Sequence, residues 1–159
     1  MQSVISVDDI FNGVVPHNIC IFFIKQKALV GSYNENGAYL SHCNMSSLRL
    51  DLNGNTISSY QTSFPKQFAN VFHHTLFNLK GSSHLLTHQN FKQGRAVYMF
   101  DLSSSDCCDD LKIEKSGNVR LNVQLDRANE ENVMMFVIGT TTGLIEIDSS
   151  RRVKTSYLM

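Results

Sequence analysis

The segment from residue 117 to residue 147 constrains the fold more than any other part of this chain. From Val119 to Asp126, apolar and polar residues alternate strictly, which places the apolar side chains on one face of a β-strand. The nearly continuous apolar run from Val133 to Ile138 is typical of a strand covered on both faces. After a Gly- and Thr-rich turn, Leu144 to Asp148 predicts a third strand. Three successive strands on short loops predict an antiparallel meander, and therefore a sandwich or a barrel.

The rest of the chain carries the same pattern of short strands separated by loops. Asn18 to Lys25 is dense in Ile and Phe, which indicates a buried strand. Leucines alternate with charged residues from Leu48 to Leu52, and Asn53 and Gly54 then supply the positive backbone dihedrals of a tight hairpin turn. Arg95 to Leu102 predicts a further strand. Seven or eight such runs in one chain predict an all-β fold, and their number fits a jelly-roll sandwich.

One segment departs from the strand pattern and predicts a helix within a loop. Between residues 66 and 79, apolar residues recur at three- and four-residue spacing, as they do on one face of a helix. We expect Phe68, Phe72 and Leu76 to form its buried stripe. Because this helix stands alone among strands, we expect it to lie across an open end of the sandwich.

Length, composition and charge favour one globular domain. The chain has 159 residues, of which 42% are hydrophobic and 18% charged. We expect residues 1–17 to form an N-terminal arm and residues 18–159 to form a single jelly-roll domain. The 14 basic and 14 acidic residues balance, so nothing in the charge points to a nucleic-acid groove or an anionic membrane surface. The apolar run from Ile19 to Ile24 is far too short to span a bilayer.

The cysteines indicate a reducing compartment. Four cysteines, of which Cys107 and Cys108 are adjacent, do not form a disulfide framework in a chain of this length. The first residues lack the positively charged region of a signal peptide. We therefore expect free thiols in an intracellular protein of the cytoplasm or nucleus.

The titratable residues form no recognisable catalytic or metal-binding pattern. His73 and His74 are neighbours on the predicted helix and point in different directions, so they cannot easily share a metal ion. His84 and His88 have no cysteine within motif spacing. The sequence holds no glycine-flanked serine nucleophile, phosphate-binding glycine loop or dinucleotide fingerprint. We therefore expect no catalytic residue, no cofactor and no metal.

Several short sequence motifs occur in order along the chain. They are Ala28 to Tyr33 with Asn36, His42 followed by Leu48 to Gly54, Gly94 with Tyr98 to Leu102, Gly117 to Leu121, and Leu144 to Val153. In order and spacing they resemble the C-terminal part of the major capsid protein of Polinton (Maverick) elements and their adintovirus relatives. The resemblance covers about residues 18 to 157.

Proteins of that family are double jelly rolls that form trimers. The resemblance therefore implies that this chain corresponds to the second barrel, preceded by an arm. It also implies a structural protein that associates with itself or with related capsid subunits, and that is found in a virion if it assembles. A trimer is favoured by the resemblance alone.

Apolar residues in the arm and in one loop offer material for such an interface. The six candidates are Ile5, Ile10 and Phe11 in the arm and Tyr33, Tyr39 and Leu40 in the loop. Exposed apolar patches usually mark interfaces, and a net charge near zero does little to keep copies apart.

A function of a different class stays open. The same sandwich suits a stand-alone binding module for a protein or a sugar, and in a domesticated capsid fragment that ligand would be capsid protein. Sheet propensity does not separate this reading from self-association. An enzyme comes third, because no catalytic constellation supports it.

Overall fold

The computed structural model of this protein describes residues 3–61, 68–79, 86–103, 115–125 and 131–157. Its strands are β1 (Ser3–Val7), β2 (Val14–Val15), β3 (Asn18–Lys25), β4 (Leu40–Ser41), β5 (Met45–Leu52), β6 (Asn55–Gln61), β7 (Val97–Asp101), β8 (Lys115–Ser116), β9 (Val119–Leu125), β10 (Val133–Thr140), β11 (Gly143–Ile147) and β12 (Val153–Tyr157). Its helices are α1 (Gln26–Val30), α2 (Phe68–Asn78) and α3 (His88–Lys92).

The strands form two main antiparallel sheets and two short ribbons. Sheet one has the strand order β1-β9-β5-β6. Sheet two is built on β3, which pairs with β10 along one edge and with β7 and β4 along the other. The ribbons are β11 with β12 and β2 with β8. The predicted all-β sandwich is thus confirmed, while the jelly-roll connectivity stays a prediction.

The predicted meander of consecutive strands is wrong. In sheet one β9 lies between β1 and β5, whereas β10 lies beside β3 in sheet two and β11 pairs with β12. The chain therefore crosses from one sheet to the other between β9 and β10. Periodicity identifies a strand and its buried face, but it does not identify the neighbouring strand.

The predicted hairpin around Asn53 and Gly54 is confirmed. β5 and β6 pair antiparallel on either side of these two residues. Asn53 has φ 51° and Gly54 has φ 82°, the left-handed conformations that a tight two-residue hairpin turn requires. The Asn53 side-chain oxygen also accepts a hydrogen bond from Asn118 N at 2.8 Å, which ties the turn to the start of β9.

The core lies between the two sheets and follows from the alternation of each strand. On β3, Ile19 and Ile21 are fully buried and Phe23 is 3% exposed. The alternating residues of β9 face them from sheet one, with Leu121 fully buried and Val123 1% exposed. Burial of each such side chain contributes about 1.5–3 kcal/mol to stability, so this layer holds the sandwich together.

The predicted loop helix is present as α2, whose described residues run from Phe68 to Asn78 within the expected range of 66–79. Phe72 is buried and Leu76 packs, partly buried, against the core. The side chain of Phe68, the third predicted member of the stripe, lies outside the described part of the molecule. Two short helices, α1 and α3, were not predicted. With five residues each, they are too short to show helical periodicity.

The segment predicted as an N-terminal arm joins the sandwich. β1 pairs with β9 at the edge of sheet one. Further along, Val15 and His17 are buried, and Ile10 donates its backbone N–H to Val119 O at 3.1 Å. A deletion of this segment would therefore remove a strand of sheet one as well as a potential interface.

Candidate interaction surface

The face of sheet two that points away from the core is apolar. Register and alternation place apolar side chains there in three rungs. Each rung crosses β10 and β3 and ends on β4 or β7. The rungs are Met134, Ile24 and Leu40; Phe136, Phe22 and Val97; and Ile138, Cys20 and Met99. A fourth rung, of Thr140, Asn18 and Asp101, is polar. We call the first three rungs the outer face of sheet two.

This outer face is only partly covered by its own chain. Met134 is 46% exposed and Ile138 is 52% exposed. At the centre, the rings of Phe22 and Phe136 stack with their centroids 5.3 Å apart. Of the nine residues only Ile24, at the end near α1, is buried, at 8% exposed. None of the nine is charged, so the surface offers shape and apolar area rather than electrostatic recognition.

The corresponding face of sheet one is polar and internally bonded. Asp51 accepts from Arg49 Nε at 2.7 Å and from Asn122 Nδ2 at 3.1 Å. Ser6 donates to Asn122 Oδ1 at 2.7 Å, and Arg120 pairs with Asp8. The two outer faces thus differ in kind, because one satisfies its polar groups within the chain while the other leaves apolar surface open.

The electrostatics of Asp51 fit a structural role. Its burial raises the pKa, but hydrogen bonds from Arg49 and Thr56 and the charges of Arg49 and Arg120 outweigh that effect. The pKa of Asp51 is therefore lowered, and its carboxylate stays ionised within the network. Both oxygens of this carboxylate accept hydrogen bonds from neighbouring side chains. This arrangement favours a role in stabilising sheet one over general acid–base chemistry.

The two long edges of sheet two differ in what covers them. At the β7 edge, Thr75 Oγ1 donates to Val97 O at 3.2 Å and Asn78 Nδ2 donates to Met99 O at 2.7 Å. Helix α2 therefore lies along this edge, not across an end of the sandwich as predicted, and binds its carbonyls. At the opposite edge, β10 pairs within the described chain only with β3. A long, uncharged edge strand of this kind is a template for association.

The predicted interface residues of the N-terminal segment fall into two groups. Ile5, in β1, is 38% exposed at the edge of sheet one. Ile10 and Phe11 are partly buried and pack against the core. A Cβ atom at Gly139 would lie 2.6 Å from Phe11 Cε1, so the phenyl ring sits directly on the backbone of β10. The structure does not bring these residues together with the loop candidates.

Of the three loop candidates, one is placed on the outer face of sheet two by strand pairing. Leu40 belongs to it, since β4 places it opposite Ile24. Tyr39 is 42% exposed, and its ring lies 2.5 Å from the position of a Cβ at Gly94, which has φ 115°. Tyr33 is fully exposed. An interface role for these residues stays a prediction.

Sequence reasoning missed most of the outer face, although a signal was present. The continuous apolar run of β10 predicts a strand covered on both faces, and that prediction is wrong for the single chain. Val133, Met135 and Val137 pack toward the core, while Met134 and Ile138 remain exposed. The apolar sequence of β10 thus predicts more cover than the described chain gives it.

A charged cluster lies at one end of sheet two. Lys25 pairs with Glu35 at 3.3 Å and with Glu131 at 3.0 Å, and Lys27 pairs with Glu131 at 3.3 Å. Hydrogen bonds to Glu131 and Glu35 raise the pKa of Lys25, and the bond from Lys25 lowers the pKa of Glu131. An open cavity of about 470 Å³ adjoins the cluster between α1 and residues 131–132. The opposite charges of these groups neutralise one another. Their role is therefore structural, since they hold α1 against the residues that precede β10.

The histidines and cysteines are dispersed. His73 and His74 are exposed on α2, His88 packs its ring against Phe72 at 5.4 Å, and His84 lies outside the described residues. Where the chain is described, His, Cys, Asp and Glu form no group of three or more that could hold a metal ion. Cys20 is a free thiol and Cys43 is buried, and Cys107 and Cys108 lie outside the described ranges.

No helix among the described residues is long and apolar enough to cross a membrane. A scan against protein-family models, a search of curated proteins and a search of solved structures each found no match for this chain.

Proposed function

We propose that this chain is a structural protein that works by self-association or by assembly with related subunits. Its resemblance to the second jelly roll of Polinton- and adintovirus-type major capsid proteins suggests a capsid building block inside the cell, and a virion component where assembly occurs. The observation that carries the proposal is the outer face of sheet two, where nine uncharged side chains lie on four strands of one sheet.

Physical chemistry favours burial of this face against another protein surface. Side chains such as Met134 and Ile138 gain about 25 cal/mol for each Å² removed from water. The face bears no charge that association would desolvate, and the whole chain has no net charge to oppose it. The polar outer face of sheet one has its hydrogen bonds satisfied internally, so it gains much less from a partner.

Light scattering over a protein concentration series tests the proposal. We expect the wild-type chain to form an oligomer at micromolar concentration. Ile138→Lys should weaken association at least about tenfold, because it places a charge in a closed apolar contact. Val4→Lys is the matched control, since Val4 is 68% exposed on the outer face of sheet one, and it should leave association unchanged.

A strictly monomeric wild-type protein at high micromolar concentration would contradict self-association and favour the binding module. The outer face of sheet two would then hold a different protein. Loss of association in Val4→Lys with retention in Ile138→Lys would instead move the interface to the N-terminal strand.

A further inference from the structure

The ribbon β11–β12 is a formed element at the end of the described chain. Five residue pairs join its strands, from Gly143 with Tyr157 to Ile147 with Val153. Its turn is closed by Asp148, whose Oδ1 accepts from Arg152 N at 2.8 Å. His17 Nε2 lies 2.8 Å from Thr142 Oγ1, which fixes the base of the ribbon to the sandwich.

The two faces of this ribbon differ in polarity. Ile145, Ile147 and Val153 lie on one face and are 66%, 70% and 61% exposed. The other face carries Glu146 and Lys154, which are directly opposite each other across the strands. These three side chains thus form an apolar stripe on one face of the ribbon, which the described part of the chain leaves exposed.

A two-stranded ribbon alone is marginally stable in water, and it needs a hydrophobic surface to pack against. The exposure of Ile145 and Ile147 shows that the described part of the sandwich leaves this face of the ribbon uncovered. The exposure of Met134 and Ile138 shows equally that the ribbon does not cover the outer face of sheet two in its own copy. Among the described residues, the ribbon therefore lacks an apolar surface to pack against, and the outer face of sheet two lacks an apolar element to cover it.

The two surfaces match in length and in charge. The ribbon has strands of five residues, and the apolar part of the outer face runs over the five residues from Met134 to Ile138. Both stretches span about 13–17 Å at about 3.3 Å per residue. Neither surface carries a charged side chain within these limits, so packing sheet against ribbon desolvates no ion.

We infer that the apolar face of the β11–β12 ribbon docks on the outer face of sheet two of a second copy of this chain. This inference rests on the proposed self-association and names its contact. Reciprocal exchange of ribbons closes a dimer, and a head-to-tail exchange closes a ring. In both cases the ribbon gains the third layer that makes it stable.

Charge substitutions on the two sides of the contact test the inference in the full-length chain. Ile147→Glu on the ribbon and Ile138→Lys on the outer face should each weaken self-association at least tenfold in light scattering. An equimolar mixture of the two variants should recover association, because it leaves one wild-type contact and pairs Glu with Lys at the other. The double variant E146K with K154E is the control: it reverses both charges on the ribbon's other face, keeps their pairing, and should associate like the wild type.

Cross-linking provides a second measurement that does not depend on a disruptive charge. Ile147→Cys introduces a thiol on the ribbon and preserves its apolar face, and Cys20 on the outer face is a free thiol. A short bis-maleimide added to a mixture of ¹⁴N- and ¹⁵N-labelled variant should link the introduced thiol to Cys20 between light and heavy chains. Links confined to single copies, or only between two ribbons, would overturn the inference.

The outcomes separate this inference from the proposed function. If Ile138→Lys dissociates the oligomer while Ile147→Glu associates like the wild type, the outer face is the interface and the ribbon is not its occupant. If the wild-type chain is monomeric at every concentration, self-association and ribbon exchange both fail. Circular dichroism of each variant confirms that the sandwich is folded before its association is compared.

Discussion

Phe22 and Phe136 stack on the outer face of sheet two, with ring centroids 5.3 Å apart and ring planes 10° apart. They are direct partners in the register of β3 and β10, so the pair helps to fix that register. The stacked rings also form the centre of the apolar surface. The same contact therefore holds sheet two together and lies at the centre of the proposed interface.

Phe72 anchors α2, and its removal should destabilise the fold. It is 7% exposed and meets the ring of Phe91 at 5.6 Å. Phe72→Ala should reduce the free energy of unfolding by about 3–5 kcal/mol, as measured by urea denaturation. His73→Ala, an exposed neighbour on α2, is the control and should change it by less than about 0.5 kcal/mol. A loss under about 1 kcal/mol for Phe72→Ala would mean that the helix contributes little to the core.

Tyr98 carries a buried hydroxyl group without a hydrogen-bond partner among the described residues. Its ring packs edge-on against Phe23 at 6.3 Å and Phe91 at 6.1 Å, and burial raises the pKa of its hydroxyl. Tyr98→Phe should therefore leave stability unchanged or raise it by up to about 1–3 kcal/mol. Tyr98→Ala should lower it by about 3–5 kcal/mol, because the ring itself is lost. Destabilisation by Tyr98→Phe in the same denaturation experiment would show that the hydroxyl is satisfied.

His42 should make stability depend on pH. Burial and the charge of Lys92 lower its pKa from the ordinary value of 6.5, and its Nδ1 accepts from Asn44 N at 3.1 Å. The unfolded chain thus binds a proton more readily than the folded one. The contribution of neutral His42 to stability is therefore fully present above pH 6.5. It is lost as the pH falls through the pKa that His42 has in the folded protein.

The variant His42→Asn isolates that effect. An asparagine side chain can accept the same backbone N–H in an Asx turn, but it does not titrate. Thermal denaturation between pH 7.5 and 5 should show a smaller loss of stability for the variant than for the wild type. An identical pH dependence in the two proteins would assign the loss to other groups.

Sequence predicted the elements of this fold better than their arrangement. The alternation of Val119 to Leu125 identified β9 and its buried face, and Asn53 with Gly54 identified the β5–β6 hairpin. Both signals are local, since each depends on neighbours within a few residues. The partners of β9 and β10 depend on contacts between distant segments, which is why the predicted meander of adjacent strands was wrong.

The candidate surface was predicted only in part, for a related reason. Leu40 was identified as interface material and lies on the outer face of sheet two. Ile10 and Phe11 were identified with it, yet they pack against the core, since composition alone does not tell an exposed apolar residue from a buried one. The central pair of Phe22 and Phe136 was missed because a continuous apolar strand indicates cover without indicating whether the cover belongs to the same chain.

Cys20 reports directly on the outer face of sheet two, because it lies in the third rung between Ile138 and Met99. Burial raises the pKa of its thiol above the ordinary value of 9.0, so alkylation of the folded protein at pH 8 should be slower than that of a free cysteine. A second copy on this face would shield the thiol further. We therefore expect the rate of Cys20 alkylation, followed by peptide mass spectrometry, to fall as the wild-type protein is concentrated.

The variant Ile138→Lys supplies the control for that measurement, since it keeps Cys20 and weakens the proposed contact. The rate of Cys20 alkylation in this variant should not change with protein concentration. At high dilution, the rate in the wild-type protein should also stop changing with concentration. An oligomeric wild-type protein in which Cys20 reacts at one rate at every concentration would place the interface on another surface. The β10 edge and the exposed edge of sheet one at Ile5 would then be the next surfaces to test by the same substitution to lysine.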